Sequence, residues 1–226
     1  MECGMKLTIF AATGGIGRQL LDQAVAAGHD VTAVVRSPER LSGKPVRAVR
    51  ADLANPDMAA IESAVAGADA VLSGLGPSRA SDAGIAAAGT RPIVQAMRAT
   101  GVRRLVVVSA APVSTMASPG RPNPPRHDPG DGPVMRYVLT PLIQTLLRKV
   151  YVDLAEMEDV LRDSGLDWTV VRPPRLTDKP LTGRYRTAYG QNLPGGRFVS
   201  RADVAHLMLR VLDQPETIHQ AIGVAN

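Results

Sequence analysis

Gly14, Gly15 and Gly17 crowd into "IFAATGGIGRQLL", between a short apolar run and a helical pattern. Glycines at a strand-to-helix turn let the backbone come close to an anion, and unpaired N–H groups at the helix start point at it. The chemistry such a turn serves is the holding of a phosphate or diphosphate. The spacing fits G-x-x-G-x-x-G, with Ala11, Gly14 and Gly17 at the three positions and Gly15 as an extra glycine. Gly14 and Gly15 permit close approach, and Gly17 lets the helix lie against the strand. Ala11 departs from the pattern by one methyl group, a small loss provided its φ is negative. A glycine turn alone is weak evidence and can be purely structural. Here a strand before it, a helix after it and a second strand at 31–35 favour a nucleotide.

The end of that second strand bears on which nucleotide. An NAD site places Asp or Glu there for the ribose 2′-hydroxyl. This chain has "VVRS", with Arg36 in that place followed by Ser37. A cation without a carboxylate suits a 2′-phosphate, which favours NADP(H). The plainer alternative is an exposed strand-end arginine, and Arg40 is open to the same two readings. Asp52 and Leu53 follow the third strand, where the carboxylate can accept from an adenine amino group and the leucine can face the ring; the alternative for Asp52 is capping the next turn. "SGLG" at 73–76, containing Gly74, Leu75 and Gly76, would run along the sugar or diphosphate, or else forms a simple turn.

Other chemistries find no support. His29, His127, His206 and His219 lack metal-ligand spacing, so no metal site is assigned. No G-x-S-x-G elbow is present. Glu156, Glu158 and Asp159 are expected to form a solvated acidic face rather than an acid/base pair. Trp168 is expected to pack at a strand start.

The elements that must position these residues alternate. Apolar runs at 7–10, 31–35, 46–51, 70–72, 105–108 and 169–171 predict six strands. Helical patterns cover 16–27, 58–66, 84–100 and a single long stretch over 139–161, with Pro92 acceptable only near a helix start. Continuous apolar strands between helices predict an α/β fold: one Rossmann-like, doubly wound parallel sheet with a small C-terminal substrate region. The whole chain, 1–226, is expected to form one domain. Six of its 18 prolines fall between Pro119 and Pro133, predicting a surface loop or partly mobile flap at about 112–134. "TGRYRTAYG" reads as a short strand pair, and Ser200 with Asp203 as a helix start.

The 226 residues are 45% hydrophobic but only 3% aromatic, so the core must be aliphatic. The formal charge is +5, yet the arginines are scattered without interleaved aromatics, and no nucleic-acid partner is expected. No apolar run nears a membrane span, no secretory signal is visible, and Cys3 stands alone; these features predict a cytoplasmic protein with no membrane partner.

"ATGGIGRQLLDQAVAAGHDVTAVVRSPERL", "ADL", "GTRPIVQAMRATGVRRLVVVS" and "SGLDWTVVRPPRLTDKPLTGRY" resemble atypical short-chain dehydrogenase/reductase proteins of the NAD(P)-binding, NmrA-like group, and within it the biliverdin-IX-beta reductases, also called flavin reductases. The resemblance covers most of the chain except the proline-rich loop and the start of the long helix. It implies that Thr13, Gly14, Gly15, Ile16 and Gly17 form the phosphate turn. Arg36 and Ser37 match the 2′-phosphate site, Asp52 and Leu53 the adenine site, and Gly74, Leu75 and Gly76 the loop after the fourth strand. Ser109 and Ala110 match the strand end beside the nicotinamide, and Pro173, Pro174, Arg175 and Leu176 the loop closing over it. Two departures concern the acceptor: those reductases have His where this chain has Arg175, and Ser where it has Ala110. Typical short-chain dehydrogenases also use Tyr-x-x-x-Lys, whereas Tyr151 here is followed four residues later by Ala155, and alignment on "SGLDW" puts Val150 and Leu154 at the pair. Tyr151 is therefore expected to be a packing or rim residue, and no catalytic residue is assigned. The expected function is NADPH-dependent hydride transfer to a flavin-like or quinone-like acceptor, with Tyr185 to Tyr189 and the proline-rich loop on the acceptor side. The alternatives are a non-catalytic NADP(H)-sensing regulator and, more remotely, an epimerase or dehydratase. Oligomeric state is left open.

Overall fold

The computed structural model describes residues 4–77, 82–133, 136–137 and 140–226. Cys3 and Leu139 lie outside them. The chain builds an eight-stranded sheet in the order β3-β2-β1-β4-β5-β6-β10-β8. The first six strands are β1 (Lys6–Phe10), β2 (Asp30–Val35), β3 (Arg47–Arg50), β4 (Ala70–Ser73), β5 (Arg104–Val108) and β6 (Asp167–Arg172). The short pair β7 (Arg175–Thr177) and β9 (Phe198–Ser200) forms a separate parallel ladder. β8 (Arg186–Tyr189) runs antiparallel to β10 (Gln220–Ala225), while every other ladder of the main sheet is parallel. This is a Rossmann-like α/β fold, as the alternation of apolar runs and helical patterns predicts.

The central strands are buried along nearly their whole length because helices cover both faces. On one face, Leu20 and Leu21 of α1 (Gly15–Ala26) meet Val204 and Met208 of α6 (Arg201–Arg210). On the other, Ile61 of α2 (Met58–Val65), Ile93 and Met97 of α3 (Ile85–Thr100) and Met157 and Leu161 of α5 (Arg148–Arg162) share a second cluster. Among the described residues, no helix is long and apolar enough to cross a membrane.

Four expectations are corrected. The sheet has eight strands rather than six, because "QAIGVA" hides a strand behind Gly223. A methyl group there would lie 2.2 Å from the Gln191 carbonyl oxygen, so glycine is required by close backbone approach. "TGRYRTAYG" supplies one strand, β8, that pairs with β10 rather than with itself. The long helix is two helices, α4 (Thr140–Leu146) and α5, broken at Leu147 where φ is −114° and ψ 25°. Pro92 sits inside α3 rather than near its start, and it is buried. The proline-rich stretch is a surface loop, one of its two expected forms, exposed over most of residues 119–133 and tied down at a few points. The Asp159 carboxylate accepts from Ser118 Oγ at 3.0 Å and from the Gly120 N–H at 2.9 Å. The buried Asp128 accepts from the Gly130 and Asn192 N–H groups, both at 2.8 Å.

Candidate functional site

The strand order reverses at β1. The chain steps outward through β2 and β3, then returns to place β4 on the other side of β1. In doubly wound sheets the crevice at the carboxyl ends of the strands flanking such a reversal is where ligands bind. A cleft of about 800 Å³ opens there, within the 300–1,000 Å³ range of small-molecule sites. Its wall brings together Thr13, Gly14, Gly15 and Ile16 from the first turn, Arg36 from the end of β2, and Asp52 and Leu53 after β3. Gly74, Leu75 and Gly76 join from the end of β4, and Ser109 and Ala110 from the end of β5.

The glycine turn begins α1 with Gly14 as its cap, and no side chain caps the helix. Its orphan N–H groups therefore face the cleft. Gly14 donates its own N–H to the Ala11 carbonyl at 2.9 Å. Gly17 lies behind the cleft wall as a packing glycine: a methyl there would fall 2.1 Å from the Ala11 carbonyl oxygen. A methyl at Gly74 would in turn meet the Gly17 nitrogen at 2.9 Å. β1, β4 and α1 thus close on one another through two glycines. Ala11 corrects the sequence reading: its φ is +56°, not negative. An L-residue is strained there, so Ala11→Gly is expected to stabilise the protein by about 0.5–1 kcal/mol, less than the full strain because glycine also loosens the unfolded chain. The thermal midpoint should rise by about 1–4 °C. A differential scanning measurement showing a lower midpoint would contradict the strain.

Arg36 is exposed on the cleft wall, and among the described residues neither Arg36 nor Arg40 forms an ion pair. Ser37, next in the chain, opens a 3-10 turn (Pro38–Leu41) and is not on the wall. Asp52 lines the cleft, and its Oδ1 accepts from the Ala54 N–H at 3.1 Å, the turn-capping role of its two sequence readings. Leu53 and Leu75 pack together over Gly89 of α3, where a methyl would come within 2.6 Å of Leu75 Cδ2 and 3.3 Å of Leu53 Cβ. The result is an apolar slot beside the Asp52 carboxylate.

At the other end, the Ser109 hydroxyl is committed, donating to Glu158 Oε1 at 2.8 Å. Glu158 also receives the Arg172 guanidinium on both oxygens, with Nε at 2.9 Å from Oε1. Glu158 and Arg172 are 2% and 6% exposed, so the expected solvated acidic face is instead a buried ion pair behind the cleft. Burial pulls the Arg172 guanidinium down, but the Glu158 carboxylate outweighs it and leaves the group firmly cationic. Asp159 is buried as well and held below the usual carboxylate range: burial pushes it up, while the Gly120 N–H, Ser118 and Arg162 prevail. Glu156 alone of the three keeps to a partly open position.

Tyr151 of α5 lines the cleft with Val150 and Leu154, and burial pushes its phenol above the usual value. Two residues on, the Asp153 carboxylate caps α3, accepting from the Ala86 and Ala87 N–H groups at 3.1 and 2.9 Å. Pro173 is buried and accepts from the Ala111 N–H through its carbonyl, and Arg175 turns outward over the Phe198 ring at 5.8 Å. Neither lies on the wall; their neighbour Leu176 does. Tyr185 is drawn away from the cleft, its hydroxyl 2.7 Å from His206 Nδ1 of α6, and Tyr189 is exposed on β8. One wall residue, Arg201, comes from a segment with no sequence signal for a ligand. Among the described residues, no group of three or more His, Cys, Asp or Glu side chains could hold a metal.

Residues 11–215 match the model of an NAD(P)H-binding family. A relative from Bacillus subtilis (strain 168), described as an uncharacterized sugar epimerase, is 28% identical over 227 residues, spanning 97% of this chain and 94% of its own. Among solved structures, a short-chain dehydrogenase/reductase from Veillonella parvula DSM 2008 in complex with NADP superposes with a TM-score of 0.76 at 20% identity, over 99% of this chain and 95% of that one. An anaerobilin reductase from Escherichia coli O157:H7 gives 0.74 at 21% identity, over 97% and 96%. At these identities the two structures establish the shared fold.

Proposed function

The chain belongs to the NAD(P)H-binding family, and we propose that within it the protein is an NADPH-dependent reductase of flavin-like or quinone-like acceptors. The observation that carries the cofactor choice is Arg36: an exposed, unpaired guanidinium where the cleft leaves β2, with no carboxylate to receive a ribose 2′-hydroxyl. The cleft fits the cofactor in three further respects. Gly14 and Gly15 leave the backbone bare where phosphates would lie, the Leu53–Leu75 slot suits an adenine ring, and Asp52 can accept its amino group.

NADPH supplies the hydride. The chain's own part is to hold donor and acceptor face to face against the ends of β5 and β6. Few side chains there can move a proton. The Ser109 hydroxyl is spent on Glu158, and Tyr151 has Ala155 rather than Lys one turn on. This supports an acceptor whose reduced form spreads its charge over a ring system and takes its proton from water, as flavins and quinones do. Carbonyl reduction needs a protein acid and fits less well. The Escherichia coli neighbour, an anaerobilin reductase, is in keeping with this reading. The lone Cys3 supports a cytoplasmic setting.

The experiment is NADPH oxidation followed at its absorbance band with free flavin or a quinone. Acceptor-dependent turnover is expected, with NADPH bound about 10- to 100-fold more tightly than NADH. Absence of turnover with both acceptor classes would refute the reductase reading. Tight binding of NADP⁺ and NADPH alike without turnover would favour the second reading, a non-catalytic NADP(H) sensor, which the spent Ser109 hydroxyl also suits.

A further inference from the structure

Gly15 is the extra glycine of the turn, outside the three fingerprint positions, and a side chain from the last helix crosses it. Arg201 begins α6, whose first turn is fixed by its own cap and tied to α1 by Gln23. Ser200 Oγ caps α6 by accepting from the Asp203 N–H at 2.9 Å, and Gln23 of α1 donates through Nε2 to the Ala202 carbonyl at 2.9 Å. From there the Arg201 side chain runs directly over the glycine turn. A methyl on Gly15 would lie 2.7 Å from Arg201 Nε and 2.9 Å from Cδ. The guanidinium lines the same cleft, and its Nη1 donates to Asp178 Oδ1 at 2.6 Å. The Asp178 side chain is 89% exposed, against 30% for Arg201. A carboxylate standing in water holds its partner weakly, whereas a diphosphate on the bare turn offers two charges and a fork of oxygens.

We propose that Arg201 is a diphosphate-binding residue of the cofactor site, and that position 15 is glycine to seat it. The inference rests on the cofactor reading above. Charge recognition then has two ends: Arg36 for the 2′-phosphate and Arg201 for the central diphosphate. Asp178 holds the guanidinium over the turn before the nucleotide arrives. Because Asp178 directly follows β7, whose Leu176 lines the cleft, occupancy of the diphosphate site is mechanically tied to that wall.

The test is calorimetry on the full chain with two probes: NADP⁺, and 2′-AMP, which carries the 2′-phosphate but no diphosphate. Arg201→Met should weaken NADP⁺ by about 10- to 100-fold and leave 2′-AMP within about twofold. Arg201→Lys should recover part of the loss. Gly15→Ala, which keeps its backbone N–H and displaces only a flexible side chain, should weaken NADP⁺ as well, and the double variant should lose less than the product of the two. Unchanged NADP⁺ binding by Arg201→Met, equal weakening of both probes, or independent effects of the two substitutions would each overturn the proposal. Wild-type protein that binds neither probe would remove the cofactor reading and this inference with it. Wild-type binding with an indifferent Arg201→Met would remove only the inference.

Discussion

Glu158→Ala is expected to lower stability by about 3–5 kcal/mol, the range for removing one partner of a buried ion pair. For a chain of this length the thermal midpoint should fall by roughly 10 °C or more. The loss comes less from the missing bonds than from what they leave behind. Arg172 is 6% exposed, and Glu158 takes its guanidinium on both oxygens. Without the carboxylate a buried full charge loses its hydrogen-bonded partner and keeps only the electrostatic help of Asp128, and the Ser109 hydroxyl loses its acceptor. Replacing both members, Glu158→Met with Arg172→Met, should recover most of the stability, because the desolvation of both charges disappears together. Thermal and urea denaturation of the two variants decide the matter. A loss under about 1 kcal/mol for Glu158→Ala would mean the carboxylate is hydrated as the bare sequence suggests.

Gly17→Ala is expected to be nearly as damaging, by about 2–4 kcal/mol, and to abolish nucleotide binding. The added methyl would lie 2.1 Å from a backbone oxygen and 2.8 Å from the carbonyl carbon of Ala11. Neither can swing aside as a side chain could, so α1 must lift from β1. Lifting it also breaks the Gly74 approach and moves the bare N–H groups off the phosphate position. Gly14→Ala is the control within the same turn: its methyl would stand 3.2 Å from the same oxygen, and a few tenths of an ångström of adjustment would accommodate it. Urea titration should show the midpoint of Gly17→Ala falling at unchanged slope, with Gly14→Ala well above it. Equal midpoints would contradict the packing role.

What the sequence made legible is what short-range pattern can carry. Continuous apolar strands separated by helical periodicity specify a parallel sheet, and glycines at the first strand–helix turn locate its crevice. The cleft-wall residues at the ends of β2, β3 and β4 were found the same way, since each follows a recognisable strand end. The rest depends on long-range partners. Glu158 looks like any helical surface charge until Arg172 and Ser109 arrive from β6 and β5. The positive φ of Ala11 goes with a close approach of Gly17 to its carbonyl, which its own side chain does not announce. β10 was masked by a glycine that only Gln191 explains, and Arg201 reaches the first turn from the start of the last helix. In each case the missing information was the identity of a neighbour far away in the chain.

The position of β10 also governs the order in which the molecule can be completed. It lies inside the sheet, between β6 and β8, yet roughly fifty residues separate it from β6 in the chain. At about 5–20 residues per second of translation, β6 waits several seconds on the ribosome with one side of its ladder open. During that interval "DWTVVR" presents unsatisfied amides and Val170 and Val171 to any nascent neighbour. Yield in an expression host should therefore respond to trigger-factor-like holdases and to codon speed downstream of position 172 more than to changes in the glycine-turn half, which docks early.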